Sequence, residues 1–192
     1  ERMPDIPEKA ALIVDIDRID GMLTETLTYL RNDYATEPSE LVNVASVLQT
    51  ICNEFADLGR AVSYDGPNKL NAECRPVSLT RAVTNLCDNA VKFAPTVVVR
   101  LSETPDALVI AVDDDGPGIP ADFRERVLEP FFKADGARST SREGLGLGLS
   151  IVADSARLHE GKLELLPRQP HGLSARISIP RVVPPWESPA AS

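Results

Sequence analysis

The chain of 192 residues carries 20 Lys and Arg against 29 Asp and Glu, a net charge of −9, and 43 % of its residues are hydrophobic. That balance supports a buried core, excludes disorder throughout, and suits one domain of ordinary size plus a smaller piece. The acidic excess argues against a nucleic-acid binder, whose phosphate contacts need clustered Lys and Arg.

No stretch approaches the roughly 18 consecutive apolar residues of a membrane span. The start shows no basic segment followed by an apolar one, so no signal peptide is expected. The chain begins at Glu1 without an initiator Met, which points to a piece of a longer protein. Cys52, Cys74 and Cys87 are odd in number, widely spaced and free of any CxxC pair. They read as free thiols, buried or half-buried, in a reducing compartment.

Ile13, Ile16, Ile19, Leu23, Leu27 and Leu30 recur in steps of three and four, which predicts an amphipathic helix over 13–30. Its stripe needs another helix as partner, either from a second copy or from an upstream segment. Residues 31–39 are polar, include Pro38 and read as a linker. A second helical pattern runs through Val44, Val47, Leu48, Ile51, Cys52, Phe55 and Leu58, with Gly59 at its end. Two short extended runs follow, around 61–64 and 69–74, separated by the turn signal Asp65-Gly66-Pro67. A third helix is expected over 78–94, ended by Pro95.

Residues 96–112 read as a hairpin turning at Thr104-Pro105-Asp106. A short helix is expected over 121–127, a mobile loop over 133–143 and a helix over 147–158. A last hairpin uses 162–166 and 174–179, and the tail 183–192 is Pro-rich and disordered in character. Hairpins mixed with helices, rather than strict βαβ alternation, predict an α+β fold. The expected architecture is a two-layer sandwich with a mixed, mostly antiparallel sheet, preceded by one amphipathic helix.

Four local patterns carry chemistry. In Asn85-Leu86-Cys87-Asp88-Asn89-Ala90-Val91-Lys92-Phe93, the residues Asn85, Asn89 and Lys92 share one helix face, opposite Val83, Leu86 and Ala90. An amide oxygen there suits Mg²⁺ and a Lys suits phosphate, although a plain solvated face has the same composition. Asp114-Asp115-Gly116-Pro117-Gly118 follows an apolar strand. Its glycines let backbone approach a ligand and its carboxylate is able to accept an exocyclic amine such as that of adenine; an acidic turn is the bland alternative. Glu129-Pro130-Phe131-Phe132 is compatible with a lid anchor or with ordinary core aromatics. Gly144-Leu145-Gly146-Leu147-Gly148 opens a helix, where free N–H groups and the helix dipole favour an anion, or where the glycines merely hinge. It is neither a dinucleotide fingerprint nor a Walker A sequence.

In this order and spacing the four patterns resemble the N, G1, F and G2 boxes of the catalytic ATP-binding domain of sensor histidine kinases. That superfamily is shared with gyrase, the heat-shock chaperone ATPases and the mismatch-repair ATPases. The resemblance runs from about Val44 to Pro180. The helix over 13–30 is similar to the second helix of the preceding dimerisation and phosphotransfer domain. The implied division is residues 1–35 for that truncated domain, 36–182 for the catalytic ATP-binding domain and 183–192 for the tail.

The resemblance implies ATP and Mg²⁺ as cofactors, with Asn89 on the metal, Asn85 assisting or binding phosphate, and Lys92 on phosphate. Phe93 would stack beside adenine and Asp114 would bind its amino group. Gly116 and Gly118 would keep that wall thin, and Gly144, Gly146 and Gly148 would hinge the lid and meet the phosphates. Arg142, and with it Arg138, would bring charge to the γ-phosphate.

The family's phosphoacceptor His lies in a helical module. The two histidines here, His159 and His171, sit elsewhere, so the acceptor and its neighbouring base are expected upstream. No catalytic residue is assigned within the chain, and no autophosphorylation is expected of it alone. The implied partners are a response regulator and the chain's own upstream dimerisation helix in a homodimer, with no nucleic acid and no membrane contact. The implied location is cytoplasmic, in a full-length protein anchored in the inner or plasma membrane. The alternatives are another ATPase of the superfamily, including a serine-phosphorylating anti-sigma factor, and a non-catalytic nucleotide-binding module.

Overall fold

A computed structural model describes residues 36–133 and 145–181, together with Leu12, Ile13 and Ile16. The stripe over 13–30 therefore lies outside the described residues except for Ile13 and Ile16, which are helical and exposed. The loop from 134 on, Arg138, Arg142, Gly144 and the tail also lie outside them.

In chain order the elements are β1 (Glu40–Asn43), α1 (Val44–Asp57), β2 (Val62–Asp65), β3 (Asn71–Cys74), α2 (Pro76–Phe93), β4 (Val97–Glu103) and β5 (Ala107–Asp114). Two single 3₁₀ turns follow, Ala121–Phe123 and Arg126–Leu128, then α3 (Gly148–Leu158), β6 (Lys162–Pro167) and β7 (Leu173–Pro180). The main sheet has the order β2-β4-β5-β7-β6, antiparallel except for the parallel β2–β4 pair. Strand alternation gives it one apolar face. Val62, Val97, Val99, Leu101, Leu108, Ile110, Val112, Leu165, Ala175, Ile177 and Ile179 all join one core with the three helices. Each helix contributes a stripe to that core: Leu48, Ile51 and Phe55 from α1, Leu79, Val83 and Leu86 from α2, and Val152 and Ala156 from α3. The result is the two-layer α+β sandwich the patterning predicts.

Three details were not read from the sequence. The two extended runs flanking Asp65-Gly66-Pro67 do not pair with each other: β2 joins the main sheet beside β4, and β3 pairs with β1. The short strand β1 falls in a stretch without apolar alternation and is held by that ladder, with Val42 packed against the core. The helix expected over 121–127 is the pair of 3₁₀ turns.

The segment read as a linker is tied down at Glu37. No side chain of its own caps the start of α2. Instead Glu37 Oε1 accepts the Val77 N–H at 2.7 Å and Oε2 accepts the Ser78 N–H at 3.0 Å. A carboxylate at a helix start satisfies donors that lack intrahelical partners and complements the dipole. The three cysteines are buried and free, and burial pushes their thiols up, Cys52 and Cys74 to about 11 and Cys87 to about 12. No helix among the described residues is long and apolar enough to cross a membrane.

Candidate functional site

Helix α2 forms one wall of the site. Its buried side carries Val83, Leu86 and Ala90, while Asn85 and Asn89 are half-buried and Lys92 and Phe93 are exposed. Asn85 donates through Nδ2 to the Arg81 carbonyl at 2.8 Å, which orients its amide. The freed Oδ1 faces the start of α3: a β-carbon placed on Gly148 would lie 3.4 Å from it. Asp88, one turn before Lys92, has its carboxyl raised by desolvation and opposed by the Lys92 charge.

At its other end α2 meets the turn after β5. A β-carbon on Gly116 would lie 3.1 Å from the Phe93 carbonyl oxygen and 3.4 Å from Ala94 Cβ. Asn85 and Phe93 are eight positions apart, roughly 12 Å along a helix. The two glycine turns thus flank one helix face, the one nearer its end and the other two turns earlier.

The run Asp113-Asp114-Asp115 offers three carboxylates, and the fold treats each differently. Asp113, opposite in facing to the core residue Val112, accepts from Arg100 Nε at 2.9 Å. Asp115 accepts the Thr96 N–H at 2.9 Å, which holds its carboxyl below the ordinary range. Asp114 is buried on the helix side of the sheet. Its Oδ1 takes the N–H of Gly116 at 2.9 Å and of Leu173 at 3.3 Å. Both bonds land on Oδ1, which leaves Oδ2 without a partner among the described residues. Burial raises the Asp114 carboxyl, against the opposing pull of those two N–H groups and of Arg168.

The aromatic pair abuts the glycine turn. Phe131 donates its N–H to the Gly146 carbonyl at 3.1 Å, and both residues have positive φ, 65° and 78°. A β-carbon on Gly146 would lie 2.7 Å from the Phe132 carbonyl oxygen. Phe132 packs at 6.1 Å between centroids against Phe123, and the Arg126 guanidinium stacks 4.4 Å from its ring. Leu147 is fully buried and its carbonyl accepts the Ser150 hydroxyl at 2.8 Å, which fixes the start of α3. Gly118 lies on the far side of the β5 turn, close to the Gly172 carbonyl.

The sequence reading missed Arg168, just after β6, and Leu173, which opens β7; both back the Asp114 turn, and no local motif marks them. It placed His159 outside the chemistry, and both of its ring nitrogens are engaged, Nε2 accepting the Arg75 N–H and Nδ1 donating to the Ser155 carbonyl. Among the described residues no group of three or more His, Cys, Asp or Glu is arranged to hold a metal.

Residues 74–183 match the sequence profile of the family described as histidine kinase-, DNA gyrase B-, and HSP90-like ATPase. The sensor histidine kinase GtrS of Pseudomonas aeruginosa is 32 % identical over 168 residues, covering 88 % of this chain and 34 % of GtrS. Among solved structures, the mycobacterial sensor histidine kinase MprB is similar with a TM-score of 0.64 at 30 % identity, covering 74 % of this chain and 97 % of that one. The ATP binding domain of PrrB from Mycobacterium tuberculosis gives a TM-score of 0.64 at 26 % identity, covering 76 % and 98 %. The chain spans little more than a third of the curated relatives it matches. A two-layer sandwich in which a central strand of the main sheet ends in a carboxylate, beside a helix bearing two Asn and a Lys, agrees with that profile over more than half the chain: the protein belongs to the histidine kinase-, DNA gyrase B- and HSP90-like ATPase family, as a catalytic ATP-binding domain of the sensor histidine kinase type.

Proposed function

We propose that the chain is the portion of a two-component sensor kinase that presents ATP for transfer of its γ-phosphoryl to a His upstream, for relay to an Asp of a response regulator. In this reading residues 1–35 end a dimerisation and phosphotransfer domain of a homodimer, 36–182 form the catalytic domain and 183–192 a tail. The full protein is membrane-anchored with this part in the cytoplasm. The observation that carries the reading is the state of Asp114: of three adjacent carboxylates, it alone faces the helices with an oxygen open to a ligand.

Asp114 Oδ2 accepts the exocyclic amine of adenine, with Phe93 beside the base. Lys92 and the N-terminal end of α3 at Gly146 and Gly148 bring positive charge to the phosphates. Arg142 and Gly144 are assigned to the phosphate end by their place in the motif. Mg²⁺ delivered with nucleotide would be held by the hard amide oxygen of Asn89, with Asn85 in support. The ion would neutralise phosphate charge during transfer. The chain's own contribution is positioning and charge stabilisation.

Titration of the chain with ATP and Mg²⁺ tests the reading. A hydrogen bond to a charged group contributes about 1.5–3 kcal/mol, so Asp114→Asn is expected to weaken ATP binding roughly 10- to 100-fold. Unchanged affinity removes Asp114 from the site. Incubation with labelled ATP is expected to leave no phosphohistidine on His159 or His171.

A further inference from the structure

We propose that Arg168 is a positioning residue for the Asp114 carboxylate and thereby sets the preference of the nucleotide site for adenine. The inference rests on the reading of Asp114 given above. Arg168 follows β6 directly, in the loop that leads into β7. Its Nη1 donates to the main-chain carbonyl of Asp114 at 2.9 Å. The antiparallel ladder between β5 and β7 ends one residue earlier, at Asp113 opposite Ser174. The guanidinium therefore takes over the carbonyl that the ladder leaves behind.

The rest of the loop acts on the same residue. Arg168 donates its own N–H to the Gly172 carbonyl at 3.1 Å, which closes the loop on itself. Leu173 donates its N–H to Asp114 Oδ1. Gly172, with φ of 115°, packs so tightly that a β-carbon there would lie 2.0 Å from the Asp114 carbonyl oxygen. Only glycine permits that approach. The guanidinium is itself aimed from behind: its Nε lies 3.8 Å from Asp113 Oδ2, the oxygen that also receives Arg100.

The consequence is directional. Strand residues send successive side chains to opposite faces, so the peptide plane at Asp114 decides where its carboxylate points. Arg168 holds that plane from the carbonyl side, while Leu173 and Gly116 fix Oδ1. Oδ2 is then left in one orientation. A base that offers an amine at the matching position gains from this, whereas a base with a carbonyl there does not.

The experiment compares ATP with inosine triphosphate, which carries an oxygen in place of the amino group, by competition against a fluorescent ATP analogue on the full 192-residue chain. Arg168→Met is expected to weaken ATP about 10-fold and inosine triphosphate less than about 2-fold, and Arg168→Lys to recover most of the loss. Equal weakening of both nucleotides, or none, overturns the proposal. Arg168→Gln carries the same test should the Met variant melt at lower temperature. Asp114→Asn is the control: it is expected to abolish the preference for ATP. If that preference survives Asp114→Asn, the assignment of the carboxylate itself fails. If Asp114→Asn abolishes the preference and the Arg168 variants leave it intact, only the role of Arg168 fails.

Discussion

His159 Nε2 accepts the main-chain N–H of Arg75 at 2.9 Å, joining the end of α3 to the start of α2 across 84 residues of sequence. Its Nδ1 donates to the Ser155 carbonyl at 2.7 Å, so the partners specify the Nδ1-protonated ring. Nearby, the buried hydroxyls of Ser78 and Ser155 lie 2.8 Å apart, a second stitch between the same helices. His159→Ala leaves the Arg75 N–H without its acceptor and is expected to cost about 1–3 kcal/mol. Urea unfolding checks it; an unchanged midpoint would show that water replaces the ring at no cost.

Glu37 gives the same kind of long-range support to the same helix start, through the Val77 and Ser78 N–H groups. Glu37→Ala removes both acceptors at the helix start and is expected to cost about 1–2 kcal/mol. Glu37→Gln keeps an acceptor but loses the charge, so it is expected to fall between the two. Thermal melts of the three proteins in low and high salt separate the contributions, because only the charge effect is screened.

Gly146→Ala is expected to disturb the site from within. Alanine at its positive φ costs about 1–2 kcal/mol, and its methyl group would press on the Phe132 carbonyl. The turn and the Phe131 N–H bond to Gly146 then give way together. Reduced ATP affinity with a modest loss of melting temperature is the expected pair of readings. Full affinity would place the turn outside the nucleotide site.

Asp114 links function to stability through pH. Its folded carboxyl is raised above the ordinary value of 3.8, mainly by burial. A raised acid contributes stability that is fully present below the unfolded value and is lost as pH rises through the folded one. At pH 7 the ionised group therefore costs the fold something. Asp114→Asn keeps an oxygen for the Gly116 and Leu173 N–H groups, so without nucleotide it is expected to melt at or above the wild-type temperature at pH 7. The gap is expected to narrow as pH falls toward 3.8. A variant less stable than wild type at pH 7 contradicts this.

The helices and most strands were legible because their signals are local. The stripe through Val83, Leu86 and Ala90 marks the buried side of α2, and Asn85, Asn89 and Lys92 necessarily share the other. The continuous apolar runs over 97–99 and 108–112 mark β4 and β5 as strands, with a turn signal between them. The strand β1 was not legible, since Glu40–Asn43 lacks alternation and exists through its ladder with β3. Nor was the separation of β2 from β3, because the turn between them resembles a hairpin turn while the apolar surface of β2 is satisfied beside β4.

By itself the sequence determined the layer architecture, the order of the four motifs and the chemical character of each, all properties of residues a few positions apart. It offered three carboxylates in a row and no ground for choosing among them beyond the motif. The tertiary structure decided that choice: strand alternation turned Asp113 toward Arg100, Thr96 claimed Asp115, and Asp114 was left facing the helices with Arg168 and Gly172 behind it. Glu37 at the start of α2 and His159 beside Arg75 were decided in the same way. Such pairs are distant in the chain, and their approach is a product of how the core packs, which no local pattern encodes.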